Sequence, residues 1–131
     1  MMLAILLFGL INVAAQETAT PQTAYRCTQP VSERESLLRE AIDNRYTVRR
    51  VEFVGNESTR DNVLRRRVFL QEGDIFTRRN LLRSLANVSK LKIIYPVKIS
   101  DVVVQLDRSD KLVDFIFCFR ERHDRQSKRA S

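Results

Sequence analysis

Two glycines decide how the middle of this chain must be read. Residues 48–91 run VRRVEFVGNESTRDNVLRRRVFLQEGDIFTRRNLLRSLANVSKL, and Gly55 and Gly73 divide that stretch into three segments of different periodicity. Residues 46–54 (YTVRRVEFV) are β-branched and aromatic with partial alternation, which predicts a strand with Val51 and Phe53 facing inward. Gly55-Asn56 ends it. Both residue types tolerate positive φ, and that permits the sharp exit by which a chain climbs from a sheet onto its face as a helix. Ser58 or Thr59 then caps a helix, with Asp61 favourable at its positive end and Val63, Leu64 and Val68 turned inward. Glu72-Gly73-Asp74 breaks that helix and Thr77 caps the next. In it Leu81, Leu85 and Val88 recur at i, i+4 and i+7, with Leu82 and Ala86 beside them. These positions build a core and imply no cofactor site.

The last third alternates. Val102, Val104 and Leu106 share one face, and Val113, Phe115, Phe117 and Phe119 share another, with the polar turn Asp107-Arg108-Ser109-Asp110-Lys111 between them. This is an antiparallel hairpin with a phenylalanine stripe. Ahead of the first strand, Ser32 and Glu35 form a capping box, and Leu37, Leu38, Ala41 and Ile42 make one apolar stripe, predicting a helix from about Glu33 to Asp43. The order is helix, strand, helix, helix, strand, strand.

The N-terminus speaks for export. Residues 1–15 (MMLAILLFGLINVAA) carry no charged side chain and end at a Val13-x-Ala15 small-residue site followed by polar residues, the layout of a signal peptide cleaved after Ala15. The apolar run is shorter than the roughly 20 residues a membrane-spanning helix needs. About 116 residues remain after cleavage, enough for one domain and too few for separate cofactor and substrate lobes. Residues 16–31, rich in Thr, Gln and Pro, read as a flexible lead segment; 32–45 hold the extra helix, 46–122 the main domain and 123–131 a polar tail.

The formal net charge is +7. A basic surface favours acidic partners, whether nucleic acid, an anionic lipid surface or acidic polypeptide segments, and export argues against nucleic acid. Arg65, Arg66, Arg78 and Arg79 make a candidate basic face across both middle helices. Two cysteines, Cys27 and Cys118, bound for an oxidising compartment favour a disulfide, with two free thiols as the alternative. A metal site of Cys27, Cys118 and His123 fails on ligand count and spacing. Catalysis has no visible equipment: one histidine in the tail, no phosphate-cradling glycine cluster, and no nucleophile paired to a base. The Asn-x-Ser sequons at Asn56 and Asn87 read as chance.

Taken in order, Val51-x-Phe53-x-Gly55-Asn56, Glu72-Gly73-Asp74 with Phe76, the leucines of the second helix, and the closing Phe119-Arg120-Glu121-Arg122 resemble a POTRA (polypeptide-transport-associated) domain over about 46–122. The resemblance implies an α+β fold with a three-stranded sheet and two helices on one face (β-α-α-β-β). It also implies a non-catalytic module without cofactor or metal, which binds polypeptide clients or an outer-membrane β-barrel assembly component in the periplasm or cell envelope. In such a sheet the last strand is central, so Val102, Val103, Val104, Gln105 and Leu106 lie at an edge. Their free N–H and C=O groups, those of Val103 and Gln105 included, are then the expected client site. Phe115, Phe117 and Phe119 must face the helices, leaving Cys118 on the other face, and the Ser32 helix is expected there or along the neighbouring edge. Such domains usually come in series ahead of a β-barrel, and here there is one. The competing reading is a winged-helix nucleic-acid-binding protein whose recognition helix opens at Arg78-Arg79.

Overall fold

The computed structural model describes residues 26–123. The predicted signal segment, most of the lead segment and the tail beyond His123 lie outside the described residues. Helix α1 spans Val31–Asp43, β1 Thr47–Val54, α2 Asp61–Arg65, α3 Arg78–Val88, β2 Val102–Asp107 and β3 Leu112–Cys118. The sheet order is β1-β3-β2. β3 lies between a parallel neighbour, β1, and an antiparallel one, β2. The α+β architecture and its central last strand are those expected.

Strand alternation sorts the two faces. In the register of the sheet Phe115 sits beside Val51 and Val104, and Phe117 beside Phe53 and Val102. These residues join Leu64, Leu81, Leu85 and Val88 in one core, in which Phe115 and Phe117 are wholly buried. Phe76 from the connector ahead of α3 meets Phe115 at 4.9 Å between ring centres. Val63, Leu82 and Ala86, expected inward, are exposed. Helix α2 is only five residues long, and one turn has too few positions to bury both Val63 and Leu64.

The other face of the sheet is covered by the segment before α1. Cys27 is bonded to Cys118, with 5.9 Å between their Cα atoms. Arg26 pairs with Glu52 on β1, while Gln29 reaches Val104 on β2. Residues 26–29 therefore cross the sheet from one edge to the other, and Ile116 and Val103 on that face keep only 3% and 7% of their surface exposed. The end of the expected flexible lead is thus tied down.

Helix α1 runs along the β2 edge and sends Leu38 and Ala41 into the common core. It starts earlier than the Ser32 box predicts: Pro30 occupies the N-cap and no side chain caps it. The reason is Arg34, which lies at i−4 from Leu38 on the buried stripe and is itself 3% exposed. Its guanidinium donates to the carbonyls of Val102, Gln29 and Ser100 at 2.7, 2.9 and 3.2 Å. A buried guanidinium needs such acceptors, and they fix the first turn where the cap was expected.

The start of α2 is also built differently from the forecast. Its N-cap is Arg60, without a side-chain cap. The N–H groups of Ser58 and Thr59 instead donate to the Glu121 carboxylate at 2.9–3.0 Å. Those bonds hold Glu121 below the usual carboxylate range although its partial burial pushes the other way. Thr77 does cap α3, accepting from the Asn80 N–H at 3.2 Å.

Candidate functional site

A three-stranded sheet has two edges at which a further strand can add. β2 is one of them, as the sequence implied, but it is not open. Val104 receives a hydrogen bond from the Gln29 amide at its C=O, 2.9 Å, and donates its N–H to the same side chain, 3.0 Å. The Val102 C=O accepts from Arg34 and its N–H donates to Ile99. In an antiparallel ladder alternate residues face opposite neighbours. Since Val102 and Val104 face outward, Val103 and Gln105 face β3 and are not edge donors. Of the five expected edge residues only Leu106 is left with its outward backbone groups unpartnered among the described residues. A glutamine amide has the donor and acceptor of a peptide unit, and here it takes the place of a fourth strand.

The opposite edge, β1, is closed over its first half and open over its second. The connector before α3 pairs with the beginning of the strand: Gly73 N–H donates to Val48 C=O, Val48 N–H to Asp74 C=O, and Phe76 N–H to Tyr46 C=O, at 2.8–2.9 Å. An irregularity between Val48 and Arg50 then shifts the register. Beyond it Val54 C=O accepts from Phe119 on the β3 side, so by alternation Val51 and Phe53 face outward. The Val51 C=O accepts a 3.1 Å bond from Arg65. The Val51 N–H and both Phe53 groups have no partner among the described residues. Beside them lies a groove of about 270 Å³, walled by Val68 and Leu70 and rimmed by Arg65 and Glu72.

The four arginines of the expected basic face are all exposed, and two of them have acidic partners. Arg65 is turned to β1, 5.3 Å above the Phe53 ring and 3.9 Å from Glu72. Arg78 pairs with Glu35 of α1 at 2.8 Å. Arg66 and Arg79 are exposed. The turn residues do hold the fold: Gly55 has φ 88° and Gly73 φ 95°. A Cβ on Gly55 would stand 2.0 Å from the Phe119 carbonyl oxygen, while one on Gly73 would meet nothing within 4 Å. The Asn56 amide donates to Thr59 C=O and to Asp61. The Asn87 amide donates to Arg67 C=O. The amide nitrogens of both sequons are thus used within the fold. The disulfide consumes both thiols that the three-residue metal reading required.

Sequence reasoning missed three residues that decide these surfaces. Gln29 and Arg34 seal β2, and Arg49 braces the hairpin with a fork of two bonds to the nearly buried Asp114, 3.0 and 2.7 Å, and a third to Asp107 at 3.2 Å. The Asp114 hydrogen bond, foremost among these contacts, holds the Arg49 guanidinium above its ordinary value. An arginine on the apolar stripe of α1 was the one available signal for Arg34.

The architecture defines a class: a small α+β domain with two helices crossing from the first strand to a hairpin whose last strand is central. The POTRA family model, described as surface antigen variable number repeat, matches residues 46–122, more than half of the chain. The chain belongs to that family. Among solved structures it is similar to BamA from Haemophilus ducreyi lacking POTRA domains 1–3, at 26% identity and a TM-score of 0.52, covering 60% of this chain and 14% of that one. It is also similar to POTRA1–3 of the periplasmic domain of Omp85 from Anabaena, at 19% identity and a TM-score of 0.49, over 63% of this chain and 37% of that one. The N-terminal domain of Omp85 from Thermosynechococcus elongatus gives 19% identity and 0.46, over 61% and 34%. No curated protein sequence matches. The chain spans a small part of these longer proteins. The winged-helix reading falls with the fold, since α2 is a single turn and the long connector 66–77 pairs with β1 instead of making a tight helix-turn-helix.

Proposed function

We propose that this chain is a non-catalytic polypeptide-binding and scaffolding module of a bacterial cell envelope. It serves outer-membrane protein assembly or secretion and is exported by residues 1–15. Membership of the POTRA family and the likeness to part of BamA support the setting. The observation that carries the binding mode is the half-open β1 edge: the unpartnered Val51 N–H and both Phe53 backbone groups face outward beside a groove walled by Val68 and Leu70. An extended client adds there as a further strand, its backbone pairing with β1 and its alternate side chains entering between Val68 and Leu70. Backbone pairing reads no side chain, so it suits a module that handles many sequences. Arg65 at the rim adds attraction for acidic segments.

The test places a photo-crosslinking amino acid at Gln71, on the β1 groove, and separately at Gln105 on β2. Unfolded outer-membrane polypeptide should be captured from Gln71 and not from Gln105. Capture from Gln105 alone would return the site to β2. Intact mass of the native protein should place the mature N-terminus at Gln16, and a retained Met1 would remove export from the reading.

A further inference from the structure

The patch where the chain leaves β3 has a chemistry that client binding does not use. Ile94 and Glu121 form an isolated antiparallel bridge, flanked by Tyr95 N–H to Arg120 C=O at 2.9 Å and Arg122 N–H to Ile93 C=O at 2.6 Å. Both bridge residues point inward, Ile94 to the core and Glu121 to the start of α2. Their neighbours Ile93, Tyr95, Arg120 and Arg122 therefore point out together, and all four are exposed. The guanidinium carbons of Arg120 and Arg122 stand 5.4 and 4.7 Å from the centre of the one Tyr95 ring. No carboxylate of the described residues forms a salt bridge with either. Ile93, Tyr95 and Arg122 line, with Lys92 and His123, a shallow pocket of about 530 Å³, and Arg120 stands beside it on the Tyr95 ring.

We propose that this ribbon is a docking site for an anionic phospholipid surface. Two guanidinium groups held beside one ring have no salt-bridge partner among the described residues. Their planar forks match phosphate oxygens, which gives the pocket its charge complement. The apolar members choose between a phosphate in a membrane and an acidic polypeptide. Ile93 and Tyr95 keep 41% and 42% exposure beside the cations, and an exposed aliphatic side chain next to an amphipathic aromatic ring is the composition that sits at headgroup level. Clustered cations of this kind raise attraction to anionic leaflets.

The chain contains no tryptophan, so Tyr95→Trp supplies a single reporter at the site. Its emission should shift to the blue on vesicles of phosphatidylcholine with phosphatidylglycerol and stay unchanged on phosphatidylcholine alone. In co-sedimentation with the mixed vesicles, Arg120→Gln/Arg122→Gln should weaken partitioning by more than about ten-fold, at about five-fold per charge near the surface. Arg66→Gln/Arg79→Gln removes the same charge elsewhere and should cost at most two- or three-fold. Ile93→Ser/Tyr95→Ser should also weaken it at unchanged charge. Circular dichroism of each variant shows that the fold is kept. Equal losses from both arginine pairs, or no blue shift of the tryptophan, would overturn the proposal. So would variants that lose binding to polyglutamate while keeping their vesicle binding.

Discussion

Replacing both cysteines, Cys27→Ala with Cys118→Ala, tests what holds the covering segment on the sheet. The bond joins positions 91 residues apart. Closing a loop of that length removes about 4.6 kcal/mol of conformational entropy from the unfolded chain at 25 °C. Part of the folded-state arrangement survives without the bond, because Arg26 still reaches Glu52 and Gln29 still reaches Val104. A net loss of about 3–5 kcal/mol is expected, a large share of what a domain of this size has. With a urea m-value of about 1–1.5 kcal/mol/M, the unfolding midpoint should fall by about 2–5 M. The assay is urea unfolding by circular dichroism, run with and without dithiothreitol. Reductant should bring the parent to the variant's midpoint and leave the variant where it is. A midpoint within about 0.5 M of the parent would refute the reasoning, since the unfolded chain would then gain little freedom from losing the bond.

Gly55→Ala should destabilise by more than about 3 kcal/mol, because a left-handed backbone is joined by a Cβ overlapping the Phe119 carbonyl, whereas Gly73→Ala, with open space around it, should cost about 1–2 kcal/mol. Thermal melting separates the two, and equal losses would show that the close approach at Gly55 relaxes freely. Asp107, held low first by the Ser109 hydroxyl, and Glu121, held low by the Ser58 and Thr59 N–H groups against its burial, both have folded values below the ordinary ones. Their contribution is therefore complete above the ordinary carboxylate range and lost as pH falls through the lowered folded values. Melting temperature against pH should drop in that window, less steeply in Glu121→Gln, and parallel curves would exclude the Glu121 contribution. Gln29→Ala uncovers Val104 at a cost of about 1 kcal/mol; hydrogen exchange should accelerate at the Val104 amide and stay slow at Val103, and slow exchange at both would contradict the seal.

The elements that could be read from the sequence are those whose cause is local. Alternation in 102–106 and 113–119 gave the hairpin and the buried phenylalanines, positive φ at Gly55 and Gly73 gave the turns, and Thr77 gave a cap three residues from its donor. The surfaces were less accessible because distant partners decide them. Gln29 finds Val104 across 75 residues, and Arg34 finds Val102 across 68. Ser58 offers a hydroxyl in the right place for a cap, yet its own N–H and that of Thr59 are bound by a carboxylate more than 60 residues later, and the helix starts beyond it at Asp61. The expected client edge failed for that reason: strand order made β2 an edge, while a side-chain amide from outside the matched domain shut it. The Tyr95 ribbon rests on a single bridge between segments with no periodicity of their own.

The central position of β3 sets a schedule for assembly. Synthesis proceeds from the N-terminus, so β1 is complete long before its strand neighbour β3 exists, and β2 precedes β3 by a four-residue turn. The two outer strands are joined only through residues 112–118. Until those residues arrive there is no sheet, no surface for α2 and α3 to cover, and no second thiol for Cys27. The last strand thus sets in one event the sheet's hydrogen-bonded ladder, the aromatic core and the covalent clasp. The oxidised bond is then a record that the last strand is in place.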